Sequence, residues 1–221
     1  MKNVVSALAL LAGISTAGWT QASPPVENGS TASRWGFATY VGTFAPILSL
    51  VAIQNGKDAD VRLQSAPSIG AELTFAFNQI MSIYGGATHV RSRVNHSTGM
   101  TLIGADERSQ ADSPVGITSP SMGFLFSPQL GSLAFRPTIR IGGGVKFYDF
   151  ALREVKNGVQ DPMADLGLGI VADGSGSVSF TAEARWTPSS FDPKFLPVPL
   201  IAGKQQLQND WVFHLGLKFG L

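Results

Sequence analysis

From Trp211 to Leu221 the chain alternates. Trp211, Phe213, Leu215, Leu217, Phe219 and Leu221 are apolar, while His214, Gly216, Lys218 and Gly220 between them are polar or carry no side chain. A period of two means a strand with one apolar face and one wet face. Here the apolar face is rich in aromatics and the other carries a cation, the arrangement expected when hydrocarbon lies outside a closed sheet and polar side chains lie inside it.

The same pattern predicts further strands upstream. In Ile69 to Phe77, residues Ile69, Ala71, Leu73, Phe75 and Phe77 oppose Gly70, Glu72, Thr74 and Ala76. Asn78-Gln79 makes a tight turn into a strand ending near Val90, whose faces stay unassigned. Gly116 to Phe126 sets Met122, Phe124 and Phe126 outward. Leu133 to Phe150 sets Phe135, Ile139, Ile141, Val145 and Phe147 against Arg136, Thr138, Arg140, Gly142, Gly144 and Lys146, with Pro137 tolerable near a strand start. Ala164 to Ala172 turns Asp165, Gly167 and Gly169 inward, and Ser177 to Thr187 does the same with Ser179, Thr181, Glu183 and Arg185. The first strand, Arg34 to Phe44, is irregular, because Tyr40 and Phe44 fall opposite Trp35, Phe37 and Val41; its faces also stay open. Connections alternate long and short. The long ones are Ala45 to Ser68, Arg91 to Val115, Ala151 to Met163 and the proline-rich Pro188 to Asp210. The expected fold is therefore all-β: an eight-stranded antiparallel up-and-down transmembrane β-barrel over 34–221. A soluble β-sandwich or a lipocalin-like barrel is the alternative that the same alternation allows.

The N-terminus supports the membrane version. Lys2, the apolar run Val4 to Ile14 and Thr20-Gln21-Ala22 have the order of a secretory signal peptide over 1–22, followed by a short polar tail over 23–33. No apolar run reaches the roughly 20 residues that a transmembrane helix needs, and only 14% of residues are charged. There is no cysteine, so disulfides and thiolate chemistry are excluded. Lys2 leaves with the leader, and the remaining formal charges balance, which gives a nucleic-acid role no electrostatic support.

An eight-stranded barrel is just wide enough for side chains to fill it. Counted from the short turns, Glu72, Arg140, Asp165, Glu183, Arg185 and His214 fall at similar heights, with Arg140 expected beside Asp165 and Glu183 beside His214. We read them as a lumen ion network, because buried charge is tolerable only when paired. A narrow polar conduit gated by Arg140 and Arg185 is the other use of the same residues. Lys146, Lys218 and Arg136 are expected near the mouths, solvated and needing no partner. Trp186, Trp211 and Phe147 are candidates for an outer aromatic girdle, and Trp35, Phe77, Phe126 and Phe219 for the periplasmic one. A hydrolytic cluster can be drawn from His96-Ser97 with Asp106 and Glu107, but adjacent residues on a loop rarely hold a base and a nucleophile in fixed geometry. Asp58 and Asp60 lack calcium-loop spacing. Gly142 to Gly144 lacks the helix and Lys-Ser/Thr of a phosphate loop. No catalytic residue, metal site or cofactor is expected.

Leader, alternating strands and terminal aromatic strand together resemble the small outer-membrane barrel superfamily that includes the OmpA transmembrane domain, OmpX and OmpW. Phe213, Leu215, Leu217, Phe219 and Leu221 match the aromatic assembly signal of such proteins, with Leu221 where a Phe is usual. The resemblance implies an outer-membrane location with both termini periplasmic. It implies lipid and the barrel-assembly machinery as partners, with an extracellular ligand or envelope-complex partner at the long loops. It further implies a role in envelope structure, surface interaction or passage of small solutes, hydrophobic ones included; lipid A hydrolysis is the enzymatic reading. Pro46 to Ile53 and Phe195 to Ile201 could line an apolar pocket at the mouth.

Overall fold

The computed structural model describes residues 34–47, 61–96, 113–130, 135–150, 159–174, 177–191 and 206–221. Eleven β-segments occur among them: β1 (Trp35–Pro46), β2 (Val61–Leu63), β3 (Ala66–Ala76), β4 (Met81–His96), β5 (Ser113–Phe126), β6 (Phe135–Phe150), β7 (Val159–Asp173), β8 (Val178–Trp186), β9 (Ser189–Phe191), β10 (Gln206–Gln208) and β11 (Asp210–Gly220). Eight of these, β1, β3 to β8 and β11, close into a single antiparallel barrel, because β1 pairs with both β3 and β11, and β8 pairs with both β7 and β11. The fold class is the one the alternation predicts.

Register fixes the barrel's shape. A hydrogen-bonded row that leaves β11 at Trp211 runs through Trp186, Leu166, Ile141, Phe124, Ile83, Phe75 and Trp35 and re-enters β11 at Leu221. That shear of ten residues over eight strands requires tilted strands, about 40° from the axis. Trp35 and Leu221 meet at the short-turn end, where the Leu221 amide donates to the Trp35 carbonyl. The β3–β4 turn is tied by Asn78, whose Oδ1 accepts from the amides of Ile80 and Met81 at 2.9 and 2.8 Å.

Inside and outside are exchanged relative to a soluble protein. Met122, Val41, Leu215, Phe180, Ile69, Ile141 and Phe213 are exposed on the outer wall, whereas Glu72, Arg140, Asp165, Arg185, Lys146 and Asp210 are buried within. The irregular first strand resolves the same way: Ala38, Tyr40 and Phe44 point inward, and Trp35 and Val41 point outward. On β4, Tyr84, Val90 and Ser92 are inward.

The strands are longer than the sequence pattern suggests. Residues 91–96 and 113–115, expected in a loop, prolong β4 and β5, and 159–163 prolong β7. The first long connection contributes β2 and the start of β3, and the last contributes the β9–β10 ribbon. The reason is physical: beyond the apolar band both faces of a strand meet polar surroundings, so period-two hydrophobicity fades while backbone pairing continues. Pro188 and Asn209 interrupt the ribbon where it meets β8 and β11, and the Pro188 carbonyl accepts from Ala164 instead. The predicted leader and tail, the candidates Asp58, Asp60, Ser97, Asp106 and Glu107, and the mouth-pocket segments 48–53 and 195–201 lie outside the described residues.

Candidate functional site: the charged interior

Alternation turns one residue in two toward the axis, and the shear brings residues from distant strands to one level. At the centre is Arg140 of β6, 2% exposed. Its Nη2 donates to Glu72 Oε2 at 2.6 Å, its Nε donates to Glu183 Oε1 at 2.6 Å, and its Nη1 lies 3.6 Å from Asp165 Oδ2. Arg185 shares the same acids, with Nε 2.7 Å from Glu183 Oε2 and Nη2 3.6 Å from Glu72 Oε2. Contacts at 3.6 Å are electrostatic neighbours and too long for hydrogen bonds. Five of the six residues expected in the lumen layer thus converge.

Two tyrosines that the sequence reading did not single out complete the cluster. Tyr84 donates to Asp165 Oδ2 at 2.8 Å, and Tyr40 donates to Glu72 Oε1 at 3.1 Å. Their rings also lie under the cations, with Arg140 3.9 Å from the Tyr84 centroid and Arg185 4.9 Å from that of Tyr40. A flat guanidinium can stack and bond at its edge at once, so these contacts add to the ion pairs. Ser121 gives Asp165 a further bond at 2.8 Å. Tyr84 was legible in one respect, being the large polar residue on an otherwise small inward face of Ser82, Gly86 and Thr88.

His214 departs from expectation. It stands opposite Glu183 in register, yet neither ring nitrogen has a hydrogen-bond partner among the described residues. The ring stacks on Tyr40 instead, at 5.4 Å and 20°. Glu183 is already claimed by two arginines, which offer stronger charge-assisted bonds.

Lys146 also departs from expectation. Rather than being solvated, it is 1% exposed, and its Nζ donates to Asp210 Oδ2 at 2.6 Å, the Thr187 carbonyl at 2.7 Å and Ser189 Oγ at 3.2 Å. Asp161 is buried beside them, and Tyr148 donates to Gln208 Oε1 at 2.6 Å. This second cluster fastens the β9–β10 ribbon to β6. Its acids sit in stretches without alternation, so nothing local marked them. Arg136 is likewise paired, 2.6 Å from Asp173, but both are partly exposed, and such a pair contributes little.

Two small cavities lie among the described inward side chains. A cavity of about 20 Å³ separates the two clusters, lined by Ser119, Ser121, Lys146, Asp165 and Arg185 among others. A second, of about 30 Å³, lies on the short-turn side between Arg140 and Lys218. Each has room for roughly one water. A larger hollow, about 810 Å³, is on the outer wall, where Val41, Leu168, Ile170, Phe213 and Leu215 surround Ala182 and Ala184.

Outward aromatics gather toward both ends of the apolar wall. Trp211 is paired with Trp186 in register, and Trp186 Nε1 donates to Asn209 at 3.2 Å. At the other end Trp35 packs edge-on against Phe75 at 4.9 Å, next to exposed Phe77. Phe126, Phe147 and Phe219 are half-buried on the same outer surface. Phe213, Leu215, Leu217 and Leu221 are exposed along β11.

No family model matches the chain, and no curated protein matches it in sequence. Its architecture does have solved counterparts. The Neisserial surface protein A matches with a TM-score of 0.56 at 10% identity, covering 87% of this chain and 100% of that one. The outer membrane protein AlkL, solved in lipid bilayers, matches with a TM-score of 0.50 at 12% identity, covering 90% and 94%. The chain has the fold of the small eight-stranded outer-membrane β-barrels. In that fold an apolar exterior and an ionic interior are the ordinary consequence of facing lipid. No helix among the described residues is long and apolar enough to cross a membrane, and strands do the crossing in such a barrel.

Proposed function

We infer that this protein is a non-enzymatic integral barrel of the bacterial outer membrane whose lumen is closed by its own side chains. Its work is done at its surfaces, in envelope structure or in interaction through the long-connection end. The observation that carries the reading is the Arg140 cluster. One guanidinium bonded to carboxylates from β3 and β8, and set against a third on β7, ties the lumen across its full width. The cavities on either side of it among the described residues are water-sized, which supports a lumen closed to hydrated solutes.

In this reading both termini are periplasmic and the long connections face outward. The aromatics at Trp186, Trp211 and Phe147, and at Trp35, Phe77, Phe126 and Phe219, sit at the two bilayer interfaces. The outward stripe of β11 from Phe213 to Leu221 is the segment offered to the barrel-assembly machinery, and the protein needs no cofactor. A hydrolase reading gains nothing from His89, which is bonded to Thr118, or from His214, which stacks on Tyr40 in the interior; His96 ends β4, and the Ser97, Asp106 and Glu107 drawn with it lie outside the described residues.

Conductance of the purified protein in planar bilayers tests the closed lumen. The wild type is expected to give no reproducible single-channel steps, and Arg140→Ala to open at most rare, small ones. Regular wild-type steps that Arg140→Ala enlarges would establish the conduit instead.

A further inference from the structure

On the outer face of β4 the side chains change character along one stripe. Ile83, Gly85 and Ala87 are followed by His89, Arg91 and Arg93, all on the outward side. Register gives their height. Leu215 of β11 shares a hydrogen-bonded row with Val41, Ile69 and His89. At a tilt of about 40° such a row climbs about 3 Å per strand in this direction, while each residue along a strand climbs about 2.5 Å. His89 therefore lies level with Trp211, with Arg91 about 4 Å and Arg93 about 9 Å above it. The tryptophans mark a bilayer interface, so these two arginines stand where lipid headgroups lie, and they project into lipid rather than into the lumen.

Both arginines are exposed. Arg91 has no hydrogen bond or ion pair with another described residue. The His89 ring is tied down, its Nδ1 3.0 Å from Thr118 Oγ1. On the side toward β6 the patch ends at Asp149, which faces Arg91 across Gly116. Below the arginines the wall is shallow. Gly85 has nothing within 4 Å of where a Cβ would stand, and Ala87 pairs with Ala71 on one side and Pro120 on the other. A cationic pair directly above an apolar trough matches an amphiphile with an anionic head and acyl chains.

We propose that Arg91 and Arg93 bind the phosphate of a membrane lipid in the leaflet at the long-connection end, with an acyl chain seated over Gly85 and Ala87. Arginine suits this task, since its fork gives two parallel bonds to one phosphate. The assignment rests on the membrane reading above and adds the lipid chemistry that the wall selects.

Native mass spectrometry of the purified full chain in detergent tests it, using bisphosphorylated lipid A and a dephosphorylated form with the same acyl chains as probes. The wild type is expected to retain the bisphosphorylated probe with at least about tenfold higher affinity than Arg91→Gln/Arg93→Gln, the order expected for losing bonds to a charged group. Added salt should weaken that retention, Arg91→Lys should keep much of it, and the dephosphorylated probe should not distinguish wild type from variant. Equal retention of the bisphosphorylated probe by wild type and double variant, or equal binding of both probes by the wild type, overturns the proposal. Flotation with phospholipid vesicles separates the two failures. A wild type that does not float refutes the membrane reading, whereas one that floats without phosphate selectivity refutes only this site.

Discussion

Arg140 is surrounded by Glu72, Asp165 and Glu183 and lies against the Tyr84 ring, so removing it leaves buried carboxylates facing one another. Taking one partner from a buried ion pair costs about 3–5 kcal/mol, because the remaining charge is stranded away from water. Arg140→Met is therefore expected to lower the urea midpoint of the micelle-embedded barrel by that order, read from the gel mobility of folded and unfolded forms. A further loss on Glu183→Gln should be less than additive, since the two share bonds. Lys146 and Asp210 invite the parallel test. Lys146→Met alone should destabilise by about 3–5 kcal/mol, while Lys146→Met with Asp210→Leu should recover most of the loss, because a pair replaced by apolar groups of similar volume is often neutral. A double variant as weak as the single one would show that the bonds to Thr187 and Ser189, rather than the charge pair, hold the ribbon.

At the scale of elements, close backbone approach explains where glycine is required. A Cβ on Gly142 would stand 2.1 Å from Tyr84 Oη and 2.4 Å from the Met122 carbonyl. Gly142→Ala must push β5 away or displace Tyr84 from Asp165, an overpacking cost of about 1–3 kcal/mol. Gly85→Ala, facing open space on the outer wall, should unfold at the wild-type midpoint within about 0.5 kcal/mol. Equal effects of the two would mean that the inward and outward faces of β4 and β6 are assigned wrongly.

The elements also show what the sequence could reveal. Strands were readable where one face is apolar throughout, as in Phe135 to Phe147 and Val178 to Trp186, since a one-residue slip there reverses every side chain. Residues 91–96 and 159–163 were not readable, because polar residues interrupt the apolar ones on each face there, as Asp161 does between Val159 and Met163. The partners of Arg140 were found by counting from the short turns. Lys146 was misjudged because Asp210 reaches it through the barrel's shear, which no local pattern records. Glu183 was assigned to His214 because facing residues look like partners, although long arginine side chains reach across strands and win.

For the whole molecule, closure and inversion are a single property. Eight strands with a shear of ten leave no free sheet edge, so the backbone of the spanning strands is satisfied within the wall and only side chains choose the surroundings. On the membrane reading proposed above, apolar groups take the outside and charges take the axis because the outside medium is hydrocarbon. The absence of cysteine makes that choice directly measurable. A spin label on Leu215→Cys, in the full chain reconstituted into phospholipid bilayers, reports whether oxygen from the hydrocarbon or a water-soluble nickel chelate reaches it more readily. The account predicts strong relaxation by oxygen and almost none by the chelate. Ready access of the chelate to that position would contradict it, since the apolar side of β11 would then face water.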